Sequence, residues 1–280
     1  MSALHHTLRR ERVAGIDLLV RDGVRARAVV LLHGIGGRAA SFADVMTRWP
    51  AGPALIAWDA PGYGGSTPLT GEWPQAADYM QVLVRVCDEV GAVSIDLVGQ
   101  SLGALIAARV SLIQPHLVRR LILMSPAHGY RTPKDGTLPT VLSKRLADFA
   151  AEGADAFAAA RAPRLVHDAA TKPAIVTAVH QSMRTLSCLG HTQAVRMLAS
   201  GDLLSDAAQI AHATLIIAGE SDIITPREGT DALFRVLQAR PRIGKVSEQL
   251  HIVPAAGHAV YLEAADDVAR TAALFFEGAE

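Results

Sequence analysis

Four short apolar runs recur through the first half of this chain: "AVVLLHG" (28–34), "ALIAWDAPG" (54–62), "SIDLVGQ" (94–100) and "RLILMSPA" (120–127). They are continuously apolar rather than alternating, the pattern of strands buried on both faces of a mostly parallel sheet. Helix-like segments separate them. Residues 75–90, "QAADYMQVLVRVCDEV", end before Gly91, and 102–114, "LGALIAARVSLIQ", stop at Pro115. Parallel neighbours need crossover connections, so this alternation predicts a doubly wound α/β sheet, flanked by helices, with right-handed crossovers. A length of 280 residues suits one such domain with an insertion.

The rhythm stops at residue 131. Residues 131–210 hold no buried-strand run but several helical patterns, among them "TVLSKRLADFAAEG", "PAIVTAVHQSMRTL" and "TQAVRMLAS". It resumes with "ATLIIAGESD" (213–222) and "QLHIVPAAGH" (249–258), followed by an amphipathic helix near 263–277. The expected organisation is a core formed by 1–130 and 211–280, with a helical cap, 131–210, inserted between two strands. Hinges near Tyr130–Pro133 and Ala211–Thr214 would let such a cap gate access.

Residues 97–104, "LVGQSLGA", place Ser101 in a Gly-x-Ser-x-Gly between an apolar strand and a helix. A serine hydroxyl is a poor nucleophile at neutral pH unless a base takes its proton during attack. Imidazole suits that task, and a carboxylate on its far nitrogen fixes the tautomer and stabilises the imidazolium. Both partners are available where strands end, the place where open α/β sheets bind ligands. Asp222 follows "TLIIAGES" and His258 follows "HIVPAAG". The order Ser…Asp…His is the one expected when the serine sits on a strand–turn–helix elbow. Gly99 and Gly103 then let strand and helix crowd together around a strained turn. "HGIGG" (33–37) ends another strand, so the amides of Ile35 and Leu102 are candidate oxyanion donors.

Other polar residues near strand ends read differently. Asp59 in "DAPGYGGS" is expected to tie down backbone amides, Asp96 lies inside a strand, and His33 is expected to hydrogen-bond its loop. His251 reads as an interior or edge-strand histidine, and Met80, Met124 and Met197 as core. His128 follows "LILMSPA" and is a candidate pocket residue. Arg161, Arg164, Arg184 and Arg196 all fall in the cap, where a guanidinium facing inward would hold a substrate carboxylate.

Charge narrows the partners. Lys plus Arg and Asp plus Glu number 27 each, with no basic run, so neither nucleic acid nor an anionic membrane is expected, and a small-molecule substrate is. A homodimer stays open. The N-terminal "MSALHHTLRRERVAG" has no apolar h-region and no run of about 18 apolar residues occurs, so a cytoplasmic protein is expected. His5–His6 reads as part of a solvated terminus, and Cys87 and Cys188 as buried free thiols. No metal and no organic cofactor is expected, since neither ligand spacing nor a dinucleotide-type glycine loop occurs.

"HGIGG", "DAPGYGGS", "GQSLGA" (99–104), "GESDIITP" (219–226) and "AGHAVYLE" (256–263) together resemble the α/β-hydrolase family, in its capped, esterase- or lactonase-like branch. The resemblance runs from residue 28 to about 275. It implies nucleophile Ser101, acid Asp222, base His258, a lid at 131–210 and cleavage of a carboxylic ester or lactone. Related families cleave carbon–carbon bonds of ring-cleavage products or amide-type bonds. The former often carry a tryptophan after the histidine, where this chain has Ala259. A non-catalytic ligand receptor on the same fold is the reading from another class.

Overall fold

The first described elements form a hairpin that the sequence does not announce. In the computed structural model, which describes residues 7–240 and 247–278, β1 (Leu8–Val13) and β2 (Ile16–Arg21) pair antiparallel across Ala14–Gly15. β1 reads Leu-Arg-Arg-Glu-Arg-Val and is the last strand at one edge of the sheet, where charged residues face water and blunt further pairing. The His5–His6 pair lies outside the described residues.

The four apolar runs become β3 (Val24–Leu32), β4 (Pro53–Trp58), β5 (Ser94–Gln100) and β6 (Val118–Met124). The later two become β7 (Thr214–Gly219) and β8 (Glu248–Val253). One eight-stranded sheet results, in the order β1-β2-β4-β3-β5-β6-β7-β8, with β3 to β8 parallel and β2 antiparallel to β4. Continuous apolarity has the expected cause. In β3, Val30 and Leu32 enter the core on one face while Val29 and Leu31 enter the core on the other.

Helices α1 (Ala43–Arg48), α2 (Ala76–Val90) and α3 (Leu102–Ile113) connect the first strands. Between β6 and β7 come α4 (Thr140–Arg161), α5 (Pro173–Met183), α6 (Cys188–Ser200) and α7 (Leu203–Ala207), with no strand among them. α8 (Arg227–Ala239), α9 (Val260–Glu263) and α10 (Ala265–Glu277) complete the chain. Tyr79 of α2, Leu105 of α3 and Leu233 of α8 join one core; Met46 of α1 and Phe275 of α10 join the other. α2 ends at Gly91, whose φ of 77° is the left-handed conformation a glycine accepts without strain.

α4 bends at Gly153, where non-helical backbone interrupts it. The chain entering this helical excursion braces the chain leaving it. Arg131 donates its amide to Gly201 O at 3.0 Å, Thr132 to Ala199 O at 2.8 Å, and Leu203 to His128 O at 2.9 Å. Met80, Met124, Met197 and Cys87 are buried. Cys188 is not: it opens α6 beside exposed Leu189, two residues before the buried face of that helix starts at Gly190. Among the described residues no helix is long and apolar enough to cross a membrane.

Candidate active site

Ser101 alone joins β5 to α3, with φ 52° and ψ −113°, a left-handed backbone that costs a non-glycine residue about 1–3 kcal/mol. The glycines around it are sterically required. A Cβ on Gly99 would collide with Gly103 O, and one on Gly103 with Leu32 O. The crowding thrusts the serine side chain out at the end of β5.

Asp222 follows β7, and His258 lies on the loop after β8. His258 Nδ1 stands 2.8 Å from Asp222 Oδ2, both side chains almost fully buried. Asp222 also accepts the amides of Ile224 (2.8 Å) and Thr225 (3.0 Å) and the Thr225 hydroxyl (2.7 Å). Burial acts to raise this carboxyl, but the bonds from His258 and Thr225 outweigh it and hold it below the usual carboxylate range. An ionised acceptor at Nδ1 keeps the proton there and leaves Nε2 with a lone pair. Gln100 meets that lone pair. Its Nε2 is 3.3 Å from His258 Nε2, while its Oε1 accepts the Gly34 amide at 2.9 Å.

Ser101, Ile35, His128, Thr225 and His258 line one cavity of about 590 Å³. Leu102 opens α3, so its amide belongs to the first turn, whose N–H groups have no intrahelical acceptor. The helical excursion supplies another part of the wall, and that part is strongly cationic. Lys144, Arg145, Arg161 and Arg164 line it together with Asp148, the one carboxylate among the lining residues. Asp148 takes Lys144 at 2.7 Å and Arg161 at 3.9 Å, and Arg161 lies 4.4 Å above the Phe157 ring. Burial, reinforced by Arg161, pushes the Arg145 guanidinium down to about 10. It is still charged at neutral pH, so positive charge on this wall is in excess.

Two expected pocket arginines are elsewhere. Arg184 is exposed and pairs with Asp155 at 3.0 Å. Arg196 donates to Glu72 O at 2.9 Å and packs over Trp73. Helix rotation explains both. Met183 faces the cavity and its neighbour Arg184 is turned about 100° away; Leu198 faces the cavity and Arg196, two residues earlier, points outward. The same geometry shows what the sequence held unread. Arg145 lies three residues after Leu142 and four before Phe149, on the buried stripe of α4.

The remaining candidates hold structure. His33 Nδ1 is 2.8 Å from Gly34 O and its Nε2 accepts the Ala60 amide at 3.0 Å; Asp59 accepts the Ala39 amide at 2.6 Å. Asp96 pairs with Arg119, and His251 with Asp267 at 2.6 Å. Among the described residues no group of three or more His, Cys, Asp or Glu is placed to hold a metal ion.

Comparison with known proteins agrees with this architecture. A curated relative, 2-hydroxy-6-oxo-2,4-heptadienoate hydrolase of Pseudomonas putida, is 27% identical over 259 residues, 89% of this chain and 88% of that protein. The enol-lactonase of Burkholderia xenovorans LB400 superposes with a TM-score of 0.80 at 19% identity, covering 96% of this chain and all of that one. An esterase of Exiguobacterium antarcticum gives 0.79 at 21% identity, covering 97% and 99%. Residues 24–265 match the Hydrolase_4 family model, described as serine aminopeptidase, S33. With its eight-stranded, mostly parallel sheet and that match over most of its length, the chain belongs to this family and is an enzyme of the α/β-hydrolase type.

Proposed function

We propose that this hydrolase cleaves a carboxylic ester or lactone of a small, carboxylated substrate through Ser101, His258 and Asp222. The observation that carries the reading is a single cavity bordered by Ser101 and His258 on one side and by four cationic side chains against one carboxylate on the other. Ser101 Oγ attacks the carbonyl as His258 Nε2 takes its proton, and Asp222 holds the resulting imidazolium. The amides of Ile35 and Leu102 receive the developing oxyanion. The alcohol leaves with the proton carried by His258, and water, activated by the same imidazole, hydrolyses the acyl-enzyme. Arg145, Arg161 and Arg164 hold the substrate carboxylate away from the reacting centre, where a guanidinium's paired donors suit it.

A second reading, cleavage of a carbon–carbon or amide-type bond in a catabolic intermediate, draws on the Pseudomonas putida relative, a hydrolase named for a substrate that is also a carboxylate. Both readings need an activated Ser101, which a ligand receptor does not.

Intact mass after fluorophosphonate treatment tests this. One adduct is expected on the parent and none on Ser101→Ala. A panel of esters, lactones and vinylogous keto acids, each with and without a free carboxylate, then separates the bond types by product. A parent that takes no label and turns over no member of the panel would overturn the proposal in favour of ligand binding.

A further inference from the structure

His258 is held by its backbone on both sides, and both holds lead to one segment of the helical excursion. The amide of Ala259, which follows it, donates to Leu165 O at 2.9 Å. The amide of Gly257, which precedes it, donates to Glu263 Oε1 at 2.7 Å. The Glu263 side chain is 1% exposed, and its other oxygen accepts the His167 amide at 2.9 Å and the Lys172 ammonium at 2.8 Å. Lys172 in turn donates to Ala255 O at 2.8 Å, on the same loop as His258. A Cβ on Gly257 would stand 2.9 Å from both His167 N and Leu165 O, so loop and segment meet backbone to backbone.

The segment tied down in this way carries two of the cavity's four cations. Arg161, Arg164 and Leu165 line the wall, and Leu165, whose carbonyl holds the Ala259 amide, directly follows Arg164. A buried carboxylate is costly unless every lone pair is used, and Glu263 spends its own on the loop and the segment together.

We propose that Glu263 is a positioning residue that couples the anion-binding segment to the base, so that a substrate anion raises turnover as well as affinity. Resting on the carboxylate reading above, the coupling works through geometry. An anion drawn between Arg161 and Arg164 fixes the Leu165 carbonyl, and Leu165 with Glu263 fixes the peptide groups on either side of His258. Displacement of a reacting group by about 1 Å costs on the order of a hundredfold in rate, so a small gain in order is enough.

Two esters with the same leaving group, one acyl chain ending in a carboxylate and the other in a methyl, make the test. The parent is expected to show both a lower KM and a higher kcat for the carboxylate ester. In Glu263→Gln, and in Lys172→Met should the first variant fold poorly, the kcat advantage is expected to shrink by about tenfold while the KM advantage stays. Arg164→Met should lose both. Equal loss of kcat for the two esters, or no loss, would overturn the coupling, as would a parent with a KM advantage alone. A parent with neither advantage would overturn the carboxylate reading itself.

Discussion

Gln100 sets its carboxamide between two parts of the site that are far apart in sequence, donating toward His258 Nε2 at 3.3 Å and accepting the Gly34 amide at 2.9 Å. It is 3% exposed, so neither contact has water as an easy substitute. Gln100→Leu leaves the Gly34 N–H buried without an acceptor, which costs about 1–3 kcal/mol. Chemical denaturation should show that loss. Because Gly34 adjoins Ile35, kcat should also fall, by about tenfold or more. Unchanged stability and unchanged kcat would show that the bridge holds nothing.

Thr225 is placed to keep Asp222 ionised. Its hydroxyl donates to Oδ2, the oxygen that also meets His258, at 2.7 Å. Thr225→Val removes that donor and lets burial raise the carboxyl. A carboxylate held low in the folded state contributes stability that is present above its unfolded value, near 3.9, and is lost as pH falls through the folded value. The variant should therefore lose about 1 kcal/mol at neutral pH, less below pH 4, and its acid unfolding should begin at higher pH. An acid limb that coincides with the parent's would count against this role.

What the sequence showed and what it hid follow from one distinction. Strand ends are fixed by topology, so the loops after β5, β7 and β8 bring Ser101, Asp222 and His258 near one another wherever the helices pack. Strands buried on both faces betray themselves by continuous apolarity, as β3 to β7 do. β1 faces water along an edge and has no such run. The helical excursion between β6 and β7 is different, because a helix pattern places a residue on a stripe but not the stripe against a particular wall. That is why Arg184 and Arg145 could not be ranked from composition, and why the contacts of Glu263 with His167 and Lys172, which span 96 and 91 residues of chain, were invisible.

The two arginines supply a matched pair of variants. Arg145 lines the cavity, and Arg184 pairs with Asp155 on an exposed face. A hydrogen bond to a charged partner is worth about 1.5–3 kcal/mol, so Arg145→Met should raise KM for a carboxylated substrate by roughly ten- to a hundredfold. Arg184→Met should change it less than about twofold, as surface ion pairs contribute little. Steady-state kinetics on one carboxylated ester decide the matter, and equal effects would mean that the cationic wall does not meet the substrate.

His191 makes the helical excursion sensitive to acid. It is fully buried, with its ring 4.5 Å from that of Phe149 and 5.3 Å from that of Phe157. Neither ring nitrogen has a hydrogen-bond partner among the described residues. Burial, with Arg145 and Arg161 adding like charge, pushes the imidazole down to about 3. In the unfolded chain it titrates near 6.5, so between these values the unfolded state binds the extra proton. The contribution is complete above about pH 6.5 and is lost progressively as pH falls toward 3. Between pH 7.5 and 4.5 this one group should account for about 2–3 kcal/mol of lost stability. His191→Phe keeps the aromatic packing and removes the proton site. Any misfit of the larger ring is a constant offset that leaves the slope alone, and every other titrating group is shared by the two proteins. Denaturation of both across that range should show a shallower decline for the variant, and parallel curves would mean that His191 does not stay neutral in the folded protein.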